Sequence, residues 1–113
     1  MRTDGKLDYL ELPALELPGT KAFYTAAFGW AFQDYGPSYA AFDEGLDGGF
    51  DSDPEKSAAP LPILYAQDLE AMQVRVETAG GQIVRPIYAF PGGRRFHFRD
   101  PSGNELAVWS EAG

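Results

Sequence analysis

The chain has 113 residues, 44% hydrophobic and 23% charged, with no Cys and a formal net charge of −8 at pH 7. That length suits one domain with a real core, and the lack of Cys excludes disulfides, thiolate metal sites and thiol nucleophiles. Residues 1–55 hold 11 acids and 3 bases while residues 56–113 hold 6 of each; so acidic a chain lacks the basic surface that nucleic acid requires.

The opening Met1–Gly5 is polar, with no apolar signal core, and no apolar run approaches the roughly 18 residues of a membrane span. The expectation is therefore a cytoplasmic protein with neither membrane nor nucleic-acid partner. Leu7 to Leu12 alternates as a strand does, with Tyr9 and Glu11 on one face and Leu10 and Leu12 on the other. Pro18 opens a helix from Glu16 to Gly29, at a position where its missing N–H is not needed. Ala22, Phe23, Ala26 and Ala27 recur at helical spacing, with Tyr24 and Phe28 widening the stripe, so this face is expected to be the buried one. Trp30–Tyr35 and Tyr39–Phe42 read as strands around a Gly36-Pro37 turn, and a weaker strand follows over Leu46–Phe50, loosened by Gly48-Gly49. Asp51 to Pro60 is a polar loop, suited to a linker or mobile flap.

The pattern then restarts. Leu61–Ala66 is an apolar strand, and Asp68 is a suitable N-cap because its carboxylate accepts the orphan N–H groups of a first helical turn. Leu69, Met72, Val76 and Ala79 form the helix stripe, and Gly80-Gly81 ends it. Gln82–Arg85 begins a strand that Pro86 disturbs before it resumes over Ile87–Phe90. Arg94–Ser110 is a hairpin: Phe96 and Phe98 alternate with Arg95, His97 and Arg99, and Asp100-Pro101-Ser102-Gly103-Asn104 supplies turn chemistry. Strand, helix and three strands thus occur twice, about 50 residues apart. This is an α+β pattern of two βαβββ modules. Neither covers its sheet alone, so the two are expected to join in one curved mixed sheet, helices on the outer face and a concave inner face. Module one spans about 5–52, the loop 53–60 and module two about 61–111 of a single domain.

Phe23-Tyr24 with Phe28-Gly29-Trp30, Asp68-Leu69 after a strand, Gly80-Gly81, and Asp100-Pro101-Ser102-Gly103-Asn104 in the last hairpin resemble the vicinal oxygen chelate superfamily, with its glyoxalase-like fold. That superfamily includes glyoxalase I, bleomycin-resistance proteins, fosfomycin-resistance enzymes and extradiol dioxygenases. The resemblance covers nearly the whole chain, but its motifs serve packing and turns rather than chemistry. It implies a homodimer, in some members with exchanged modules. It also implies a metal held by His, Gln or Glu on first and last strands. Carried over residue by residue, those positions fall on Tyr9, Leu61 and Ala107, with a fourth near Gly48–Asp51, where only Asp51 has a donor. Leu and Ala cannot ligate, and a single His excludes a two-His facial site within one chain. No metal ligand and no cofactor are therefore assigned.

By strand alternation the inner face carries Tyr9, Glu11, Arg95, His97 and Trp109, joined by Tyr39 and Tyr88, an aromatic wall with few polar groups suited to a small organic ligand. Arg85, Arg94, Arg95 and Arg99 gather around the hairpin, where a small anion would bind, and Arg95 has the planar fork for a carboxylate or phosphate. His97 can exchange protons near neutrality or be a hydrogen-bonded wall residue. Glu11 can act as a base or pair with Arg95. Two further readings stand beside ligand binding. One is a metal-independent lyase or isomerase with Glu11 or His97 in acid–base work. The other is a structural or regulatory module without chemistry.

Overall fold

The structure is a computed structural model that describes residues 2–53 and 59–111. Residues 54–58, half of the loop expected over Asp51–Pro60, lie outside the described residues, and with them the reading as a linker or flap. The chain divides into two compact units, Tyr9–Leu61 and Met1–Asp8 together with Pro62–Gly113. Among the described residues no helix is long and apolar enough to cross a membrane.

The unit Tyr9–Leu61 contains most of β1 (Leu7–Pro13), then α1 (Leu17–Phe28), β2 (Gln33–Asp34), β3 (Tyr39–Asp43) and β4 (Asp47–Asp51). Its strands lie in the order β2-β3-β4-β1, with β1 parallel to β4 and the other pairs antiparallel. Glu16 caps α1, its carboxylate accepting from Gly19 N–H at 2.7 Å, and Gly29 ends it. The core under the helix is Ala14, Leu17, Ala40, Phe42 and Phe50, with Leu12, Tyr24, Trp30 and Phe32 packed against it. Burial of so much aromatic surface is the main stabilising term here.

The inward face of α1 differs from the expected stripe. Ala22, Phe23, Ala26, Ala27 and Phe28 are exposed, and Leu17, Thr20, Lys21 and Tyr24 face inward at i, i+3, i+4 and i+7. Two polar residues in that set disguise it. Thr20 returns its hydroxyl to the Glu16 carbonyl at 2.8 Å, and Lys21 reaches Asp34 at 2.6 Å. β2 is also shorter than expected, because Trp30 leaves the strand path to stack on Tyr24 at 4.7 Å and meet Phe42 at 4.9 Å. By contrast Gly48-Gly49 does not loosen β4: the strand is regular over Asp47–Asp51.

The second unit contains most of β5 (Leu61–Tyr65), then α2 (Leu69–Thr78), β6 (Gln82–Phe90), β7 (Gly93–Arg99) and β8 (Glu105–Glu111), in sheet order β5-β8-β7-β6. Asp68 caps α2, accepting from Ala71 N–H at 3.0 Å, as its position predicts. Ala66, Leu69, Phe96 and Val108 form the core, joined by Met72, Val76, Ile83, Ile87 and Phe98. Phe96 and Phe98 thus pack toward α2, which places Arg95 and His97 on the opposite face of β7. The helix between first and second strands in each module, and the strand pairings, establish the α+β glyoxalase-like fold.

The β7–β8 turn is held by one side chain. Asp100 accepts from the Ser102 and Asn104 backbone N–H groups and from the Asn104 amide, each at 2.9 Å, and these bonds hold its carboxyl below the usual range. Gly103 sits at φ 89°, a conformation costly for any residue with a Cβ.

Candidate functional site

The face of the second unit turned away from α2 is built by register. Arg95 lies opposite Trp109, His97 opposite Ala107 and Arg99 opposite Glu105 across β7–β8. On the other side Tyr88 lies opposite Arg95 and Arg85 opposite His97. Arg85 and Tyr88 are three residues apart on β6, yet their partners are two apart on β7. A bulge over Pro86-Ile87 absorbs the extra residue, and a second irregularity lies between Ile83 and Arg85. Without that bulge Tyr88 would point toward α2. Pro86 disturbs the strand as its position predicts, at the bulge where β6 is re-aimed.

Four side chains on this face form one hydrogen-bonded line. Arg95 Nε donates to the Tyr88 hydroxyl. Tyr88 meets His97 Nε2 at 2.9 Å, and His97 Nδ1 meets a Glu105 oxygen at 2.9 Å. The proton positions follow from donor capacity. A guanidinium only donates, so the Tyr88 oxygen accepts from Arg95; the Glu105 carboxylate only accepts, so in the neutral imidazole the proton is on Nδ1 and the Tyr88 O–H is directed to Nε2. His97 Nε2 is then the acceptor, and Nδ1–H donates to Glu105. The neutral imidazole has both nitrogens satisfied, with the residue only 3% exposed. Burial pushes the His97 pKa down; Glu105 pulls it up and the Arg95 and Arg85 charges push it down, leaving it below its ordinary value.

The rest of the face is aromatic. The Arg85 guanidinium carbon lies 4.2 Å from the Tyr88 ring centre, and that of Arg95 lies 5.6 Å from the same ring and 5.7 Å from Phe90. Trp109 meets Phe90 at 6.3 Å and Tyr65 edge-on at 5.6 Å. Its indole N–H donates to Asp8 at 2.9 Å and Arg2 covers its ring at 4.9 Å, so residues near the start of the chain occupy part of this tryptophan.

Tyr9 and Glu11 belong to the other unit. Glu11 is buried opposite Gly49 on β4. Tyr9 and Tyr39 share a short hydroxyl–hydroxyl hydrogen bond, and burial, the largest cause, raises both phenol pKa values. Gly49 makes this possible: the Tyr39 ring lies where a Cβ would stand. Asp51 is buried at the end of β4 and accepts from Asp53 N–H at 2.9 Å.

Of the predicted site residues, Arg95 and His97 are joined by Tyr88, and Trp109 shares their face. Glu105 was missed as the partner of His97, although the turn that sets Arg99 opposite Glu105 puts it diagonal to His97. Of the positions that the metal-binding pattern assigns, Tyr9 and Asp51 carry oxygen donors. Leu61 and Ala107 are buried hydrocarbon, and the Tyr9 hydroxyl is engaged with Tyr39. Among the described residues no three His, Cys, Asp or Glu side chains converge.

Residues 6–108 match the model of the Glyoxalase/Bleomycin resistance protein/Dioxygenase superfamily. None of the curated proteins compared matches the sequence. Solved structures share the fold at low identity. A Legionella pneumophila protein named NAD-dependent benzaldehyde dehydrogenase aligns with TM-score 0.76 at 13% identity, over 92% of this chain and 98% of its own. Methylmalonyl-CoA epimerase from Mycobacterium tuberculosis aligns with TM-score 0.72 at 14% identity, over 100% and 92%. The Mn(II)-bound glyoxalase from Novosphingobium aromaticivorans aligns with TM-score 0.66 at 21% identity, over 97% and 40%.

Proposed function

Since the chain belongs to the Glyoxalase/Bleomycin resistance protein/Dioxygenase superfamily, we propose that it binds a small organic molecule on the face of β5–β8 turned away from α2, without a divalent metal. The observation that carries this reading is the Arg95–Tyr88–His97–Glu105 line. A sheet face of no use to a ligand would not need a bulge that brings a phenol onto it, nor a buried imidazole satisfied at both nitrogens. Aromatic surface from Tyr88, Phe90 and Trp109 supplies apolar contact, and the polar line supplies orientation. The absence of donors at Leu61 and Ala107 supports binding that does not pass through a cation.

The same line favours one second reading. Carboxylate, imidazole and phenol in hydrogen-bonded order can pass a proton from Tyr88 through His97 to Glu105, as a metal-independent lyase or isomerase requires. In that case His97 acts through the Tyr88 hydroxyl, because its own nitrogens are both occupied.

A thermal-shift screen of small aromatic and acidic compounds tests binding. A ligand at 100 times its Kd raises stability by about 2.7 kcal/mol. Hits are expected on the wild type and not on Tyr88→Ala. If the two proteins respond alike to every hit, or nothing stabilises the wild type, the assignment to this face is wrong. Elemental analysis of the purified protein tests the metal-free part; a stoichiometric divalent metal would overturn it.

A further inference from the structure

The hairpin arginines are not equivalent, and their partners sort them. Arg94 is bound by Glu70 at 2.5 and 3.2 Å. Arg99 lies 3.7 Å from Glu105. Arg95 is buried and donates to Tyr88. Arg85 is exposed, rests over the Tyr88 ring at 4.2 Å, and among the described residues meets no carboxylate. A ring face holds a guanidinium in place but offers no lone pair to its N–H groups.

We propose that Arg85 is the docking group for an oxyanion, a carboxylate or phosphate on the small molecule bound at this face. The inference rests on the ligand-binding reading above and names the chemical class of the ligand. The tyrosine beneath restricts the guanidinium before the ligand arrives, so less side-chain entropy is lost on pairing. The fork suits two parallel N–H···O bonds to one oxyanion. The site is also local: the chain carries −8 overall, so its general field repels an anion and only a specific cation would hold it.

An anion at Arg85 would be sensed by His97, its cross-strand partner. The charged and titratable groups facing His97 are Arg85 and Tyr88 on β6, Arg95 and Arg99 on β7, and Glu105 on β8. The Arg85 charge disfavours a proton on His97, and a bound anion would offset that charge.

His97 is the single histidine of the chain, so its imidazole gives one unambiguous NMR titration. The probes are inorganic phosphate, benzoate and its neutral isostere benzamide, with chloride matching ionic strength. Phosphate and benzoate are expected to raise the His97 midpoint in the wild type. Arg85→Gln should weaken both at least tenfold, and Arg85→Lys should weaken them less, keeping charge but not the fork. Arg94→Gln, which alters only the Glu70 pair, should respond as the wild type does. No effect of either anion, or equal effects on wild type and Arg85→Gln, would overturn the oxyanion site. A benzamide response as strong as that of benzoate, indifferent to Arg85, would overturn it while leaving ligand binding at this face intact.

Discussion

His97 is surrounded by charges that pull on its proton in opposite directions, and burial decides the balance against it. Its folded-state pKa lies below the roughly 6.5 of an unfolded histidine. Above about pH 6.5 both states are neutral at this position and the full stability is present. As pH falls below that value the unfolded chain takes up a proton that the folded chain resists, so stability falls with pH until the folded value is passed. Urea midpoints measured from pH 8 to pH 5 should therefore drop more steeply for the wild type than for His97→Gln. Equal slopes in the two proteins would mean that His97 is not held neutral. The alternation of β7 was enough to place Arg95 and His97 on one face from the sequence. Alternation also put Tyr88 on that face, but the hydrogen-bonded line was not legible, because a bulge seats Tyr88 opposite Arg95 and cross-strand register brings Glu105 to His97. Neither is written in the spacing of residues along one strand.

The elements show the same division between pattern and packing. α2 follows its stripe at Leu69, Met72 and Val76, the residues its core uses, but not at Ala79, which is the exposed C-cap. α1 does not, because its buried side contains Thr20 and Lys21, each satisfied by a local partner, while alanines and phenylalanines occupy its exposed side. Apolar periodicity reports burial only when polar residues at the interface have no local bond to make. The rings that do the packing come partly from beyond the helix, at Trp30 and Phe32. Two substitutions distinguish the faces. Phe23→Glu should change stability by less than about 0.5 kcal/mol, whereas Tyr24→Ala should cost about 3 kcal/mol. Chemical denaturation decides between them; a Phe23→Glu cost equal to that of Tyr24→Ala would restore the stripe expected from the sequence.

At the scale of the whole molecule, chain order and structural unit do not coincide. Residues up to Asp8 belong with Pro62–Gly113 rather than with the strand they begin. The contacts that hold them are specific: Gly5 N–H to the Tyr65 carbonyl at 2.9 Å, Tyr65 N–H to the Lys6 carbonyl at 3.2 Å, Gln67 N–H to Asp4 at 2.8 Å and the Trp109 indole to Asp8 at 2.9 Å. Each such bond contributes about 1 kcal/mol net, and the ones whose partners are buried cost more when left unmade. The two tryptophans divide between the units, Trp30 in the aromatic cluster under α1 and Trp109 on β8. In a Trp30→Phe background, selectively excited tryptophan fluorescence therefore reports the second unit alone. Removing residues 2–6, together with Asp8→Ala, should lower the Trp109-reported melting temperature by several degrees and shift its emission to the red as the indole loses both Arg2 and Asp8. An unchanged midpoint and spectrum would show that these residues do not belong to the fold of the second unit, and the register that seats Trp109 would then have to come from β5, β7 and β8 alone.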